Sequence, residues 1–125
     1  MIKRILIAIM LLAASASAAP DGLDSWYAGY NHEYFQDELP KTVVITKTLN
    51  DDRFMALTFY ENGAYHIALN PKYNFSTKIE RENLLHEMCH IRIFVEHDEE
   101  FEDHGPKWQA CMLELAKKGA FADLW

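Results

Sequence analysis

Residues 86–90 read His-Glu-Met-Cys-His. Histidines four apart on a helix share one face, one turn apart, where two imidazole nitrogens can reach a single metal ion. Glu87 lies ~100° around such a helix from His86, beside an ion and not beneath it. From that position a carboxylate can take a proton from a metal-activated water and later hand it to a leaving amine. His86 and His90 are therefore candidate metal ligands and Glu87 a candidate general base and acid. The spacing has this meaning only on a helix, and a catalytic zinc needs a third protein ligand beside one open position.

The surrounding residues predict the helix independently. Thr77 and Glu80 have capping-box spacing, and the helix is expected to run from there to about Glu96. Leu84, Met88, Ile91 and Val95 fall on one stripe and the two histidines on the opposite side. Core on the back and histidines on the front make this a central helix. Four sources of a third ligand follow the motif. His97 is seven residues past His90, ~10 Å along a straight helix, too far to share the ion. The metzincin spacing demands glycine at 93 and histidine at 96, where this chain has Ile93 and Glu96. A carboxylate from Glu99, Glu100 or Glu102 could serve, but that segment reads as a solvated lip. His104 remains, after a loop and at the mouth of the next helix, able to fold back onto the pair.

The other elements follow from periodicity and turn chemistry. Leu23 to Glu38 reads as a helix with an aromatic stripe of Leu23, Trp26, Tyr27, Tyr30, Tyr34 and Phe35, ended by Pro40. Thr42–Thr48, Phe54–Tyr60 and Ala64–Leu69 read as strands. Asn62-Gly63 tolerates positive φ at both turn positions and predicts a hairpin. Asn70-Pro71 closes the third strand. An acidic loop, Glu96–Asp103, leads to a last helix opened by Gly105-Pro106, faced by Trp108, Met112 and Leu115 and ended by Gly119. Tyr60, Tyr65 and Tyr73 carry hydroxyls that could stabilise an oxyanion, but aromatic residues in a hairpin ordinarily pack. The expected fold class is α+β: an N-terminal helix, a small three-stranded sheet with a hairpin, the central HExxH helix, the acidic loop and a C-terminal helix.

An HExxH helix, a loop of about a dozen residues, then His104-Gly105-Pro106 with Trp108 two residues on, resembles the SprT-like zinc metallopeptidase domain, the zincin type that also forms the catalytic part of the protease Spartan. Tyr34-Phe35 with Glu38-Leu39-Pro40 is similar to that family's opening helix and its turn into the sheet. Ile67-Ala68-Leu69-Asn70 is similar to the strand ahead of the motif helix. The resemblance implies one zinc per chain held by His86, His90 and His104, Glu87 as catalytic carboxylate, and peptide-bond hydrolysis. Many members continue into a zinc ribbon or DNA-binding segments. No CxxC pair occurs here, and because this chain is strongly acidic and reads as exported, repair of DNA–protein crosslinks is not carried over.

The chain has 125 residues, half of them hydrophobic and a quarter charged, enough for one globular domain. Lys3-Arg4, the apolar run Ile5–Leu12 and the small residues Ala13–Pro20 have the three-part layout of a secretory leader, with Ala16-Ser17-Ala18 as cleavage site. The expected division is a signal peptide at 1–18 and a metallopeptidase domain at 19–125. The apolar run is too short to span a bilayer, so the mature form is expected to be exported, periplasmic or secreted, and free of the membrane. Losing Lys3 and Arg4 leaves ten basic against nineteen acidic residues, a net charge of −9 with histidines neutral. Such a surface repels phosphate backbones, so no nucleic-acid partner is expected.

The expected partner is a protein or peptide substrate, acted on by a monomer. Six of the eight residues from Glu96 to Asp103 are acidic, and their field would favour basic peptides. Export would place Cys89 and Cys111 where thiols oxidise. They read either as a disulfide or as two buried thiols, and Cys89 points away from the histidine face. Two other functions fit the same residues: a catalytically silent zincin-fold protein that binds metal or a partner, and an intracellular SprT homologue whose N-terminus only mimics a leader.

Overall fold

The computed structural model describes residues 22–97 and 104–124, with helices α1 (Leu23–Tyr34), α2 (Thr77–His97) and α3 (Pro106–Lys117) and strands β1 (Val43–Thr46), β2 (Ala56–Glu61) and β3 (Ala64–Leu69). The expected leader at 1–18 lies outside the described residues, as do residues 98–103 of the acidic loop expected at Glu96–Asp103, whose first two residues instead belong to the last turn of α2. The order is the expected α+β one. Asn62 (φ 54°) and Gly63 (φ 79°) both take the left-handed conformation and join β2 to β3 as an antiparallel hairpin in the register Glu61↔Ala64. β1 pairs with β3 in parallel, Ile45 opposite Ile67, so the sheet order is β1-β3-β2 and β2 is an edge. Among the described residues no helix is long and apolar enough to cross a membrane.

α2 is the centre of the fold. It packs on β2 and β3, while α1 and α3 pack on it. Leu84, Leu85, Met88, Cys89 and Ile91 are wholly buried, together with Ile67 and Leu69 of β3 and Leu23, Phe35 and Leu115 from the flanking segments. Val95 departs from the expected stripe. It is 42% exposed, because the last turn of α2 runs past the core. The start of α2 also differs from the capping-box reading. The cap is Ser76, whose hydroxyl accepts the Ile79 N–H at 3.2 Å and whose carbonyl accepts the Glu80 N–H. The Glu80 carboxylate instead pairs with Lys47 just past β1, a partner invisible to local spacing.

α1 ends four residues earlier than its stripe implies. Gln36 and Asp37 turn left-handed at φ 54° and 60°, and the Asp37 N–H donates back to Asn31 O at 2.8 Å. The cause is Asn31, a buried amide on the otherwise apolar face. Its Nδ2 donates to Leu39 O at 3.0 Å and its Oδ1 accepts the Leu39 N–H at 3.1 Å, which folds the chain back sharply. Tyr27 donates its hydroxyl to Pro40 O at 2.6 Å, and burial pushes its pKa well up, so it stays a donor. Arg81 of α2 ties in α1 and the C-terminal segment. Its guanidinium lies 3.9 Å from the centre of the Trp26 ring, its Nε donates to the Tyr30 hydroxyl, and its Nη2 pairs with Asp123.

Two further links bear on the site. Cys89 and Cys111 form a disulfide between α2 and α3, with Cα atoms 5.8 Å apart, inside the range that such a bridge requires. A chain of asparagine amides holds the loop before β2. Asn74 donates through Nδ2 to Met55 O (2.9 Å) and Asn70 O (2.8 Å), and accepts from Asn83 of α2 at 2.8 Å. Asn70 donates to the Asp51 and Phe54 carbonyls, both at 3.1 Å.

Replacing Asn74 by alanine deletes three hydrogen bonds in a site that is 1% exposed. The expected cost is roughly 3 kcal/mol, a fall in Tm of about 12–24 °C for a domain of this size. Thermal denaturation checks it. Removing the disulfide frees a loop of 22 residues, and the added entropy of the unfolded chain should cost roughly 3 kcal/mol. Denaturant titration of C89A/C111A, with alkylation and mass measurement of the unreduced wild type, checks both the bond and its worth.

Candidate metal centre

α2 presents His86 and His90 one turn apart, on the side away from Leu84 and Met88, because positions i and i+4 of a helix are stacked. The third histidine arrives from the mouth of α3. Gly105 caps that helix in extended conformation and Pro106 occupies its first turn. Gln109 Nε2 donates to His104 O at 2.8 Å and pins the His104 backbone. The result is a nearly equilateral triangle of imidazoles. The ring centroids of His86 and His90 are 5.1 Å apart, of His86 and His104 4.9 Å, and of His90 and His104 5.0 Å.

One ring nitrogen from each histidine lies within 4.8 Å of the other two, and the Nε2 atoms of His86 and His104 are 3.0 Å apart. Tetrahedral coordination with metal–nitrogen bonds of 2.0–2.1 Å separates ligand nitrogens by about 3.3 Å. The 3.0 Å separation is close to that value and the others do not exceed 4.8 Å, and three imidazoles are a donor set that suits a borderline transition ion such as zinc. Small rotations of the rings suffice to converge on one ion, so the residues fit a metal. The disulfide keeps Cys89 and Cys111 out of that donor set.

Glu87 points beside the triangle. It is 5% exposed; its Oε2 lies 3.7 Å from His86 Nε2, and its Oε1 accepts the Thr58 hydroxyl proton at 2.7 Å. His90 is 6% exposed. Trp108 closes the far side. Its Nε1 donates to His86 O at 3.2 Å, and its ring centroid lies 4.5 Å from His104, 4.7 Å from His86 and 5.6 Å from His90. One aromatic ring thus packs against all three imidazoles and restricts their rotation.

In front of the histidines is a cleft of about 290 Å³. Phe54, Met55 and Ala56–Thr58 form one wall, and Asn83, His86, Glu87 and His90 the other, with His104 also on the lining. None of Tyr60, Tyr65 and Tyr73 lines it. Tyr65 packs between Tyr60 and Phe94, and Tyr73 donates its hydroxyl to Asp52 O at 2.8 Å. The structure thus brings together His86, Glu87, His90 and His104. It adds Thr58, Asn83 and Trp108, which periodicity assigns to a strand, a helix and an apolar face. Only the aromatic position after His-Gly-Pro carried any signal for Trp108, and nothing local marked the other two.

The comparison with curated proteins finds no match. The model of the SprT-like family matches residues 23–123, which takes in all three helices, the sheet, the histidine triangle and Glu87. The chain belongs to the SprT-like family.

Proposed function

We infer that this protein is an exported zinc endopeptidase. The observation that carries the reading is a carboxylate, Glu87, buried beside three convergent histidines at the floor of an open cleft. His86, His90 and His104 would hold one zinc per chain. When bound, the ion supplies Lewis-acid activation of water and of a carbonyl at neutral pH. Glu87 accepts the proton that the attacking water loses and returns it to the departing amine, and with the water's second proton also passing to that amine the products are a carboxylate and an ammonium group. Trp108 keeps the imidazoles oriented and screens their far side from water.

β2 is the edge strand that borders the cleft, so an extended peptide can add to it through main-chain hydrogen bonds. The substrate is a protein or peptide. The acidic residues between Glu96 and Asp103 favour basic ones, and the overall negative charge disfavours nucleic acid. Export is supported by the leader-like layout of residues 1–18 and by the disulfide, a bond found mainly in proteins of oxidising compartments.

Incubation with a denatured protein mixture, with and without a zinc chelator, and mass spectrometry of the cut sites test the activity. Chelator-sensitive internal cuts are expected; an unchanged mixture overturns the reading. Glu87→Gln should keep its zinc and lose at least about 100-fold in kcat, because the amide preserves shape but cannot take a proton. Full activity in that variant would overturn this mechanism. Zinc in excess should raise the Tm of the wild type by mass action. His104→Ala should weaken zinc binding sharply and shrink that rise, measured by metal analysis and thermal shift. Cutting next to Lys and Arg should be favoured at low ionic strength and fade as salt screens the acidic loop.

A further inference from the structure

Thr58 lies in the middle of β2, opposite Ile67 of β3, and its side chain is turned toward α2. Its hydroxyl is 2.7 Å from Glu87 Oε1 and 3.4 Å from the carbonyl oxygen of the same residue. A hydroxyl has one proton to give, and the shorter contact takes it. The acceptor is a carboxyl oxygen, and 2.7 Å is a well-formed length for an O–H···O hydrogen bond. The bond engages Oε1, while Oε2 lies on the side of His86, 3.7 Å from its Nε2.

We propose that Thr58 is the positioning residue for Glu87: it anchors Oε1 and so commits Oε2 to proton transfer. A glutamate side chain has three rotatable bonds, and the helix backbone fixes none of them beyond a preference at the first. Burial among apolar groups limits where the carboxylate can go but does not choose between its two oxygens. A directional bond from the facing strand does. Because Thr58 is on the edge strand that also walls the cleft, one strand aligns both the peptide backbone and the base. This role rests on the hydrolytic reading of the site. Proton transfer needs the base within hydrogen-bond reach of its target, and misplacement by about 1 Å can cost roughly 100-fold.

The test uses the zinc-loaded full chain with a fluorogenic peptide built on a cleavage site of the wild type. Thr58→Val keeps size and strand preference but removes the hydroxyl, while Thr58→Ser keeps the hydroxyl and removes only the methyl. Thr58→Val is expected to lose roughly 30- to 100-fold in kcat, with KM and bound zinc changed by less than about twofold. Thr58→Ser should stay within about threefold of wild type. A Thr58→Val enzyme with wild-type kcat, or an equal loss in the serine variant, overturns the proposal. If Thr58→Val does not fold, Thr58→Ala is read in the same way. Crystal structures of the same variants supply a readout independent of turnover. Glu87 should leave its present orientation in Thr58→Val and keep it in Thr58→Ser, and an unmoved Glu87 in Thr58→Val overturns the proposal. A wild type that cuts nothing overturns the hydrolytic reading alone, since the crystallographic comparison still judges whether Thr58 holds the carboxylate.

Discussion

A carboxylate and an imidazole taken out of water on the same helix set the terms for this structure. Glu87 and His90 are 5% and 6% exposed, and a buried charge or polar ring is costly unless its surroundings answer it with hydrogen bonds or a cation. Both groups sit on α2, which also supplies the largest share of the apolar core. α2 therefore cannot simply turn its polar side to solvent. The sheet must bring a donor to Glu87, and the C-terminal helix must bring a third histidine and a tryptophan over His86 and His90. Thr58 of β2, and His104 with Trp108 at the start of α3, are those contributions, from two separate stretches of chain.

The tie between α2 and α3 is made several times over. Cys89 lies between the two α2 histidines in sequence and is bonded to Cys111, two turns into α3. Trp108, one turn into the same helix, donates to the backbone of His86. Leu115 and Cys111 are buried in the common core. Each contact restrains the same degree of freedom, the distance from the mouth of α3 to the histidine face. A triangle of rings about 5 Å on a side tolerates little slack in that distance, because ligand nitrogens must approach within a few tenths of an ångström of their ideal separation. The restraint also explains why the third ligand can follow a segment as acidic and hydrophilic as residues 96–103, since its position is set by what comes after that segment.

The opposite wall of the cleft is secured by different means. The loop before β2 is held by asparagine side chains that pair with backbone carbonyls, from Asn70 and Asn74 on to Asn83 in α2. Amide groups with two donors and an acceptor can satisfy several buried partners at once, which apolar packing cannot. Such a network is rigid while complete and fragile when one member is lost. It fixes Phe54 and Met55 at the mouth of the cleft although both are substantially exposed. A surface loop thereby becomes a defined wall of the cleft.

The sequence alone determined whatever depends on neighbours along the chain. The i, i+4 spacing of His86 and His90 defines one helical face, Asn62-Gly63 defines a tight hairpin, and Gly105-Pro106 opens a helix, each through the backbone geometry of a few consecutive residues. His104 was legible because the other local candidates could be eliminated and because the two-part pattern resembles the SprT-like domain. What the tertiary structure decided involves partners far apart in sequence. The parallel pairing of β1 with β3, which leaves β2 as the edge beside the histidines, joins segments that are not neighbours in sequence. The early end of α1 depends on Asn31 reaching Leu39, and the fate of Glu80 on Lys47, 33 residues away. Thr58 reads as an ordinary strand residue, and only a contact across 29 residues shows that it holds Glu87. Periodicity records which side of an element is buried, but a polar side chain with a buried partner shows the same pattern as an apolar one. Its partner is therefore visible only once the chain has folded.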